Sequence, residues 1–283
     1  MPNSFMYAKM LFIIKVCVFM LLVWTAWGNL TICTTTYEIK NKKIPKEFDG
    51  FRIVEIADFH NSDFGEYLIR KISVENPDII VITGDLLSSY RPNNRHVFEF
   101  IKNAVKIAPC FFVTGNHEAR FSDYEEIEKI LIDFGVRVLK DEAFILERNG
   151  EKISIWGIDD PAFEGKSKTS REIIGEKLEK FPTPSEFTVL LSHRPEAFRE
   201  YVNKEVDLAL TGHTHGGQIR LPFVGGIVAP NQGFFPKYDA GLFTENGTSM
   251  IISRGVGHSA IPLRVNNRSE VVVVELRKEK KDD

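Results

Sequence analysis

The chain has 283 residues, of which 43% are hydrophobic and 27% are charged, which supports one large domain or two small ones with a hydrophobic core. The net charge of −3 gives no reason to expect a nucleic-acid partner, because such proteins usually present a basic face. The three cysteines, Cys17, Cys33 and Cys110, show no CxxC spacing, so neither a zinc knuckle nor a disulfide framework is indicated.

The first predicted element is an apolar segment near the N-terminus. Residues 10–30 supply the roughly 20 apolar residues that a membrane-spanning helix needs, provided that the side chain of Lys15 reaches the membrane interface. Trp24 and Trp27 near its far end suit that interface. A cleaved signal peptide is the main alternative, although no small-x-small cleavage site follows Trp27. A buried core helix is a third interpretation.

The lysines around this segment predict its orientation. Lys9 and Lys15 lie before or within the apolar run, so the positive-inside rule places the N-terminus in the cytoplasm and the rest of the chain outside. Three later lysines weaken that prediction: Lys42, Lys43 and Lys46. We therefore expect a cell-membrane protein with a single-pass N-terminal anchor and an extracytoplasmic domain, with a cleaved and secreted form as the alternative.

Three segments make up the predicted domain organisation. Residues 1–30 form the anchor or signal segment, residues 31–44 a polar linker, and residues 45–283 one folded domain. Cys33 follows a weak lipoprotein-like box, but Ile32 is too bulky for the position before such a cysteine.

Apolar β-like runs alternate with helical stripes along the folded part. The predicted strands cover residues 51–57, 78–83, 110–114, 152–156, 187–192, 206–210, 249–253 and 271–274. The run 152–156 alternates as a half-exposed strand does. The predicted helices centre on Leu68 to Ile72, Val97 to Val105, residues 122–134 with a capping box of Ser122 and Glu125, and Ile173 to Leu178. Residues 221–244 are too irregular for any periodic prediction.

Polar side chains follow five of these strands directly. The clusters are Asp58 and His60, Asp85, Asn116 and His117, His193, and His213 and His215. Functional groups gather outside the carboxyl ends of the strands in open α/β sheets, so we expect these clusters to converge. Five of the seven histidines are among them, and chance gives such a concentration rarely.

The types of side chain in these clusters predict a metal site. Asp58 and His60 are two apart in an extended segment and face the same way, so both can bind one ion. Carboxylate, imidazole and amide groups without thiolate suit Mn, Fe, Zn or Ni. Eight side chains are too many for one ion, whereas two ions that share one carboxylate, at a spacing of roughly 3.5–4 Å, fit better.

The order of motifs resembles the calcineurin-like metallophosphoesterase superfamily. The motifs are Asp-x-His, Gly-Asp, Gly-Asn-His-Glu, His and Gly-His-x-His, between Asp58 and His215. The resemblance implies an α/β fold of two facing mixed β-sheets flanked by helices, a four-layer αββα sandwich, preceded here by the hydrophobic N-terminal helix. Ala57 departs from the usual serine before the first aspartate, but that position is not a ligand.

The resemblance also implies roles for the site residues. Asp58, His60 and His215 would hold one metal, and Asn116, His193 and His213 the other. Asp85 would bridge both, and His117 would stabilise or protonate the leaving oxygen rather than bind metal. The implied reaction is phosphoester hydrolysis by a hydroxide held between two divalent or mixed-valence ions, with Mn, Fe or Zn favoured.

Further motifs resemble a membrane-associated branch with phosphodiesterases and UDP-diacylglucosamine pyrophosphatase-like proteins. They are the N-terminal segment, Gly157-Ile158-Asp159-Asp160-Pro161, Gly-His-Thr-His-Gly-Gly-Gln, Gly255-Val256-Gly257 and Pro262-Leu263-Arg264. The expected substrate is a phosphodiester or pyrophosphate that is a small molecule, lipid-linked or part of the envelope. His258 stands where that branch more often has a small hydroxyl residue.

Alternative functions and some residue roles stay open. A phosphomonoesterase or phosphoprotein phosphatase is the enzymatic alternative, although Thr114 and the residues 86–89 lack the arginine and the Val-Asp-Arg-Gly of the protein phosphatases. An inactive binding scaffold would have lost ligands that are present here. Arg194 is either a phosphate contact or a surface ion pair. Five further residues are weaker candidates for substrate contact: Arg254, His258 and Arg264, and the two acids Asp159 and Asp160, which are more often loop-capping.

Overall fold

Two six-stranded β-sheets face each other in this computed structural model, which describes residues 4–90, 93–165, 167–258 and 263–279. The strands are β1 Ile32–Asn41, β2 Arg52–Ile56, β3 Ile79–Thr83, β4 Cys110–Val113, β5 Val136–Val138, β6 Glu142–Arg148, β7 Glu151–Gly157, β8 Thr188–Leu191, β9 Leu208–Thr211, β10 Arg220–Leu221, β11 Gly225–Gly226, β12 Val228–Ala229, β13 Gly233–Phe234, β14 Gly241–Glu245, β15 Thr248–Ile252 and β16 Ser269–Lys278. The helices are α1 Ser4–Leu30, α2 Gly65–Val74, α3 Arg95–Ala104, α4 Tyr124–Asp133, α5 Ser170–Glu179 and α6 Phe198–Asn203.

Both sheets are mixed. The first has the strand order β1-β16-β2-β3-β4-β5, in which β2 to β5 are parallel and β16 is antiparallel to β2. The second has the order β14-β15-β9-β8-β7-β6, in which the four middle strands are parallel. The parallel strands read as continuous apolar runs because both of their faces are covered.

Three apolar clusters hold the layers together. The middle one lies between the two sheets and includes Val81, Ile155 and Leu210. The second packs α2, α3 and α4 on the outer face of the first sheet, and the third packs α5 and α6 on the outer face of the second sheet. The predicted four-layer αββα arrangement, preceded by an apolar helix, is confirmed.

Two local predictions were wrong. The capping box of Ser122 and Glu125 does not form, because α4 begins at Tyr124 after Asp123, with no side-chain cap; a capping box instead joins Thr169 to Glu172 at the start of α5. The strand β7 is not half-exposed: it is buried from Ile153 onward, because it lies between β6 and β8 and both faces are covered.

The predicted linker over residues 31–44 is also corrected. Residues 32–41 form β1, which pairs in parallel with β16 along its whole length. Its alternating polar side chains suit an edge strand with one solvated face, so polarity alone did not reveal the pairing.

The apolar helix α1 stands outside the domain. Within it, residues Met6–Leu30 are long and apolar enough to cross a membrane, and the most apolar stretch is not buried anywhere in the described structure. This exposure excludes the buried core helix of the sequence analysis. The last turn contacts the domain, where Arg268 stacks on Trp27 and Asn29 donates a hydrogen bond to the carbonyl of Arg264 (2.7 Å).

The pairing of β1 places α1 at one edge of the sheet. Ile32 is opposite Ser269 at the start of β16, and β16 runs antiparallel to β2, with Val272 opposite Glu55. The start of β1 is therefore level with the carboxyl end of β2. Two strand spacings, or roughly 10 Å, separate β1 from β2 across the sheet.

Candidate metal centre

The carboxyl ends of five parallel strands deliver the predicted site residues. Asp58 and His60 follow β2, Asp85 follows β3, and Asn116 and His117 follow β4. His193 follows β8, and His213 and His215 follow β9 of the second sheet. Because the sheets face each other, these loops meet at one edge, and that is the edge at which α1 joins the domain.

The backbone at this edge adopts a conformation that side chains disfavour. Positive φ angles near 50° occur at Asp58, His60, Asp85 and His215, and His213 has a φ of 72°. Such left-handed non-glycine residues are uncommon and cluster at functional sites, where surrounding contacts hold them. Here the backbone N–H of His60 donates to the carbonyl of Asp85 (3.0 Å).

One glycine allows the double-histidine loop to approach the first aspartate closely. A Cβ added at Gly212 would lie 2.7 Å from Asp58 Oδ2, closer than real Cβ contacts. The backbone N–H of His213 donates to that same oxygen (3.0 Å). This glycine therefore lets β9 and β2 bring their ligands together.

The first group of candidate ligands consists of Asp58, His60 and His215. Their ligand atoms lie within 4.8 Å of one another, and all three side chains are buried. His60 Nε2 is 3.2 Å from His215 Nε2, and His215 Nε2 is 3.4 Å from Asp58 Oδ1. Two imidazole nitrogens and a carboxylate oxygen thus converge on one point.

The second group consists of Asp85, His193 and His213, also buried and within the same distance. His193 Nε2 lies 3.3 Å from Asp85 Oδ2 and 3.2 Å from His213 Nδ1. Asp85 Oδ2 is also 3.6 Å from His60 Nε2 in the first group. Asp85 is therefore the carboxylate between the two groups, the position at which one side chain can contact two ions.

Backbone carbonyls orient two of the imidazoles toward the cluster. His193 Nδ1 lies 2.8 Å from the carbonyl of Thr83, and His60 Nδ1 lies 3.2 Å from the carbonyl of Leu87. A carbonyl only accepts, so each Nδ1 carries a proton, and each Nε2 is the nitrogen that faces the cluster and can bind a cation when it is unprotonated. This is the arrangement that orients histidine ligands in metalloproteins.

Unpartnered oxygens test whether the cluster fits cations. Asp58 Oδ1 and Asn116 Oδ1 are buried and have no hydrogen-bond partner among the described residues. A buried acceptor without a donor is unfavourable, and a divalent cation would satisfy both oxygens. The donor set of carboxylates, imidazoles and one amide has the composition expected for such cations. The residues present therefore fit a site for divalent cations.

Three of the four imidazoles in the two groups are neutral, which is consistent with that fit, whereas the fourth, His193, carries a proton that a bound cation would displace. Burial raises the pKa of Asp58 to about 7 and lowers the pKa of His60 to about 3. Burial also holds the pKa values of His213 and His215 well below the usual range. For His193 burial acts in the same direction, but the carboxylate of Asp85 outweighs it and raises the pKa to about 10. Neutral imidazoles are the form that binds metal.

The ring of His117 differs from those of His60 and His193, because its Nδ1 accepts a hydrogen bond instead of donating one. The backbone N–H of Ser89 donates to His117 Nδ1 (3.1 Å), so in the neutral ring the proton is on Nε2. Burial lowers the pKa of His117, which favours the neutral ring. Its ligand atom nevertheless lies close enough to those of His60 and Asp85 to share a cation.

An open cavity of about 1550 Å³ lies in front of the cluster. Its inner wall includes Asp85, Asn116, His117, Arg194, His213 and His215. The outer wall comes from α5 and from residues of the 230–238 segment. This volume exceeds the ~300–1,000 Å³ of ordinary ligand pockets and leaves room for a substrate much larger than inorganic phosphate.

Arg194 forms a buried ion pair rather than a surface one. Its Nε and Nη2 atoms donate to the two carboxylate oxygens of Asp160 at 2.6 and 2.7 Å, and Nη1 lies 3.0 Å from His213 Nε2. Asp160 also caps the turn that follows by accepting from the N–H of Ala162 (2.8 Å). Asp160 therefore has the expected loop-capping role, and it also holds Arg194 at the cavity wall.

The weaker substrate-contact candidates have other partners. Arg264 is buried and donates to the carbonyls of Arg254 and Gly257, both at 2.6 Å. Arg254 pairs with Glu270 (2.8 Å). His258 Nε2 lies 3.3 Å from Asn29 Oδ1 at the end of α1. These contacts hold the backbone behind the site, and Pro262 of the same motif lies outside the described residues.

Glu118 supports the site, and the sequence analysis gave it no role. Its buried carboxylate accepts the backbone N–H groups of Asp85 (2.9 Å), Leu87 (2.8 Å) and Gly115 (2.6 Å). It therefore ties the loop after β3 to the loop after β4. The only pattern that marked it was its place after His117 in Gly-Asn-His-Glu.

Replacing Glu118 with glutamine should destabilise the protein by about 1–3 kcal/mol. The new NH2 group cannot accept the backbone N–H groups that one carboxylate oxygen now accepts, so at least one buried donor loses its partner. Chemical denaturation of the metal-free protein measures this. Glu147→Gln on the exposed face of β6 is the control and should change little. Equal stability of the two variants would contradict the supporting role.

Comparison with known proteins agrees with this geometry. The profile of calcineurin-like phosphoesterases matches residues 51–217. The uncharacterized metallophosphoesterase YkuE of Bacillus subtilis is 32% identical over 257 residues, which cover 86% of this chain and 85% of that protein. The chain belongs to the calcineurin-like phosphoesterase family, and it is a metal-dependent phosphoesterase.

Other relatives extend the comparison. Phosphodiesterase YaeI of Escherichia coli is 29% identical over 237 residues, covering 80% of this chain and 82% of that protein. A transmembrane protein with a metallophosphoesterase domain from Danio rerio is 28% identical over 252 residues, covering 85% of this chain but only 56% of that protein. Among solved structures, a dimetal phosphatase from Danio rerio aligns with a TM-score of 0.46 at 13% identity, covering 73% of this chain and 88% of that one.

Proposed function

We propose that the protein is a dinuclear phosphodiesterase or pyrophosphatase that acts on a lipid-linked or envelope substrate at the membrane surface. The observation that carries the proposal is the position of the cluster, at the same sheet edge as the end of α1. The apolar helix and the similarity to transmembrane relatives favour a membrane anchor. A substrate held in the same bilayer would meet the site without leaving the surface.

The proposed roles follow the two groups of side chains. Asp58, His60 and His215 would hold one ion, Asn116, His193 and His213 would hold the other, and Asp85, between the two groups, would serve both. Mn, Fe and Zn suit this donor set. Divalent cations held there would neutralise phosphate charge and lower the pKa of the attacking water.

The residues of this chain supply the rest of the mechanism. His117 donates a hydrogen bond from its Nε2–H to the leaving oxygen and stabilises the charge that develops there. Arg194, which Asp160 holds at the cavity wall, faces an incoming phosphate with a fixed positive charge. The extracytoplasmic location of the domain stays a prediction from Lys9 and Lys15, and the retention of α1 stays a prediction from the lack of a small-x-small site after Trp27. We also propose that the catalytic domain begins with β1, near residue 31.

Hydrolysis of an aryl phosphodiester by the full chain should exceed hydrolysis of the matching monoester. Both substrates are offered in detergent with Mn²⁺, and a chelator is expected to abolish the activity. Diester preference supports the proposal, and similarity to the phosphodiesterase YaeI favours this outcome. Monoester preference would contradict it and favour the phosphatase alternative. No turnover of either substrate, with two metals bound, would favour the binding scaffold.

A further inference from the structure

The turn between β10 and β11 exposes apolar side chains at its tip. Leu221, Phe223 and Val224 are exposed, and Phe223 has a relative exposure of 109%. The backbone N–H of Val224 donates to the carbonyl of Leu221 (3.3 Å), which closes the turn around Pro222. No charged side chain lies within residues 221–224. We call these four residues the apolar tip.

The backbone conformation at residue 223 is unfavourable for a phenylalanine. Its φ is 66°, in the left-handed region that glycine and asparagine occupy readily. A bulky aromatic there is unfavourable in the turn and gains no packing within the domain, given its exposure. Folding therefore does not explain Phe223, whereas contact with an apolar partner outside the domain does.

A ladder of hydrogen bonds places the apolar tip beside the end of α1. Asn29 bonds to both the N–H and the carbonyl of Arg264, at 2.9 and 2.7 Å. The next residue, Val265, accepts from the N–H of Arg220 (3.0 Å) and pairs with Ile219. Only the segment around Val265 thus separates the end of α1 from β10, a distance of roughly two strand spacings, or ~10 Å.

The segment between them adds one more apolar group. Leu263 is exposed, and its carbonyl accepts from the side chain of Gln218 next to β10. Trp27, at the end of α1, stacks with Arg268 on the other side of the same segment. Exposed apolar side chains thus lie at the tip, at Leu263 and at the end of the helix, where an interfacial tryptophan is expected.

We propose that the apolar tip and Leu263 enter the lipid bilayer beside α1 and form a second membrane contact. The nearness of the tip to the end of the apolar helix identifies the occupant as lipid, and the lack of charge on the tip means that the contact is apolar rather than electrostatic. The proposal rests on the membrane anchor of the proposed function, since α1 brings the tip to the bilayer.

This contact would also orient the active site. The hairpin root packs on the double-histidine loop, where Arg220 donates to the carbonyl of Gly216 (2.9 Å). Gly217 and Gly226 meet so closely that neither position has room for a Cβ. A tip fixed in the bilayer would therefore hold the loop of His213 and His215 close to the membrane.

Photocrosslinking of the full chain in phosphatidylcholine vesicles tests the proposal. Phe223→p-benzoylphenylalanine places the probe at the tip. Val74→p-benzoylphenylalanine is the matched control, because Val74 is 77% exposed at the end of α2, near the opposite sheet edge where β3 begins. Both positions are exposed, so neither probe disturbs the core. We expect lipid adducts at position 223 in at least about tenfold excess over position 74.

The other outcomes separate this proposal from the one on which it rests. Vesicle flotation first establishes whether the chain is membrane-bound. If the protein floats and the two positions give equal lipid adducts, the second contact is refuted while the anchor stands. Protein dimers crosslinked at position 223, in place of lipid adducts, would overturn the lipid contact in favour of a second copy of the chain. Failure to float would overturn the anchor and the second contact together.

Discussion

Replacing His117 with alanine should lower kcat by about 10²–10⁴-fold while two metal ions per chain remain. The reason is the hydrogen bond from the Ser89 N–H to His117 Nδ1, which leaves the N–H on Nε2, from where it can donate a hydrogen bond to the leaving oxygen. The measurement combines kcat on an aryl phosphodiester with metal content by elemental analysis. Because the cavity is open at His117, a smaller side chain leaves its walls in place.

Metal content decides between the two roles that the geometry of His117 permits. Its ligand atom is close enough to those of His60 and Asp85 to share an ion, so a ligand role predicts loss of metal together with turnover. Retained metal together with lost turnover supports the role of His117 as a hydrogen-bond donor to the leaving oxygen. His96→Ala on α3, a histidine that does not line the cavity, should change neither quantity.

Replacing Asp85 with asparagine should weaken the binding of both ions by at least roughly 100-fold, since even supporting residues of a metal site cost 10–100-fold in affinity. Asp85 Oδ2 lies between the two groups, 3.6 Å from His60 Nε2 and 3.3 Å from His193 Nε2. Asparagine keeps the shape but removes the charge that both ions share. Turnover should fall with the metal content, which titration calorimetry of the metal-free protein quantifies.

One result would contradict the prediction for Asp85→Asn. An Asp85→Asn variant that still binds two metals with unchanged affinity would refute the bridging role. Asp78→Asn is the matched control, because Asp78 precedes β3 at the opposite edge and pairs there with Arg148 (3.1 Å). That variant should bind metal as the unchanged protein does.

The sequence by itself determined the strands that carry the site and the side chains that follow them. Runs such as residues 78–83 are apolar on both faces, a local pattern that predicts a buried parallel strand without knowledge of its neighbours. Asp85 and His193 each follow such a run, so their convergence at one edge follows from the parallel arrangement. The resemblance to the family then implied the arrangement of two facing sheets between layers of helices, which local periodicity does not reveal.

The tertiary structure decided whatever depends on partners distant in the chain. The polar residues 32–41 became β1 only because β16, more than 200 residues later, offered a free edge. Arg194 became a buried partner of Asp160 in the same way, and Glu118 became the carboxylate that joins two loops. The irregular segment after His215 became hairpins beside α1 through bonds to Val265. Hydrogen bonds and ion pairs between distant residues leave no periodic pattern in the sequence, because each partner on its own resembles an ordinary exposed polar residue.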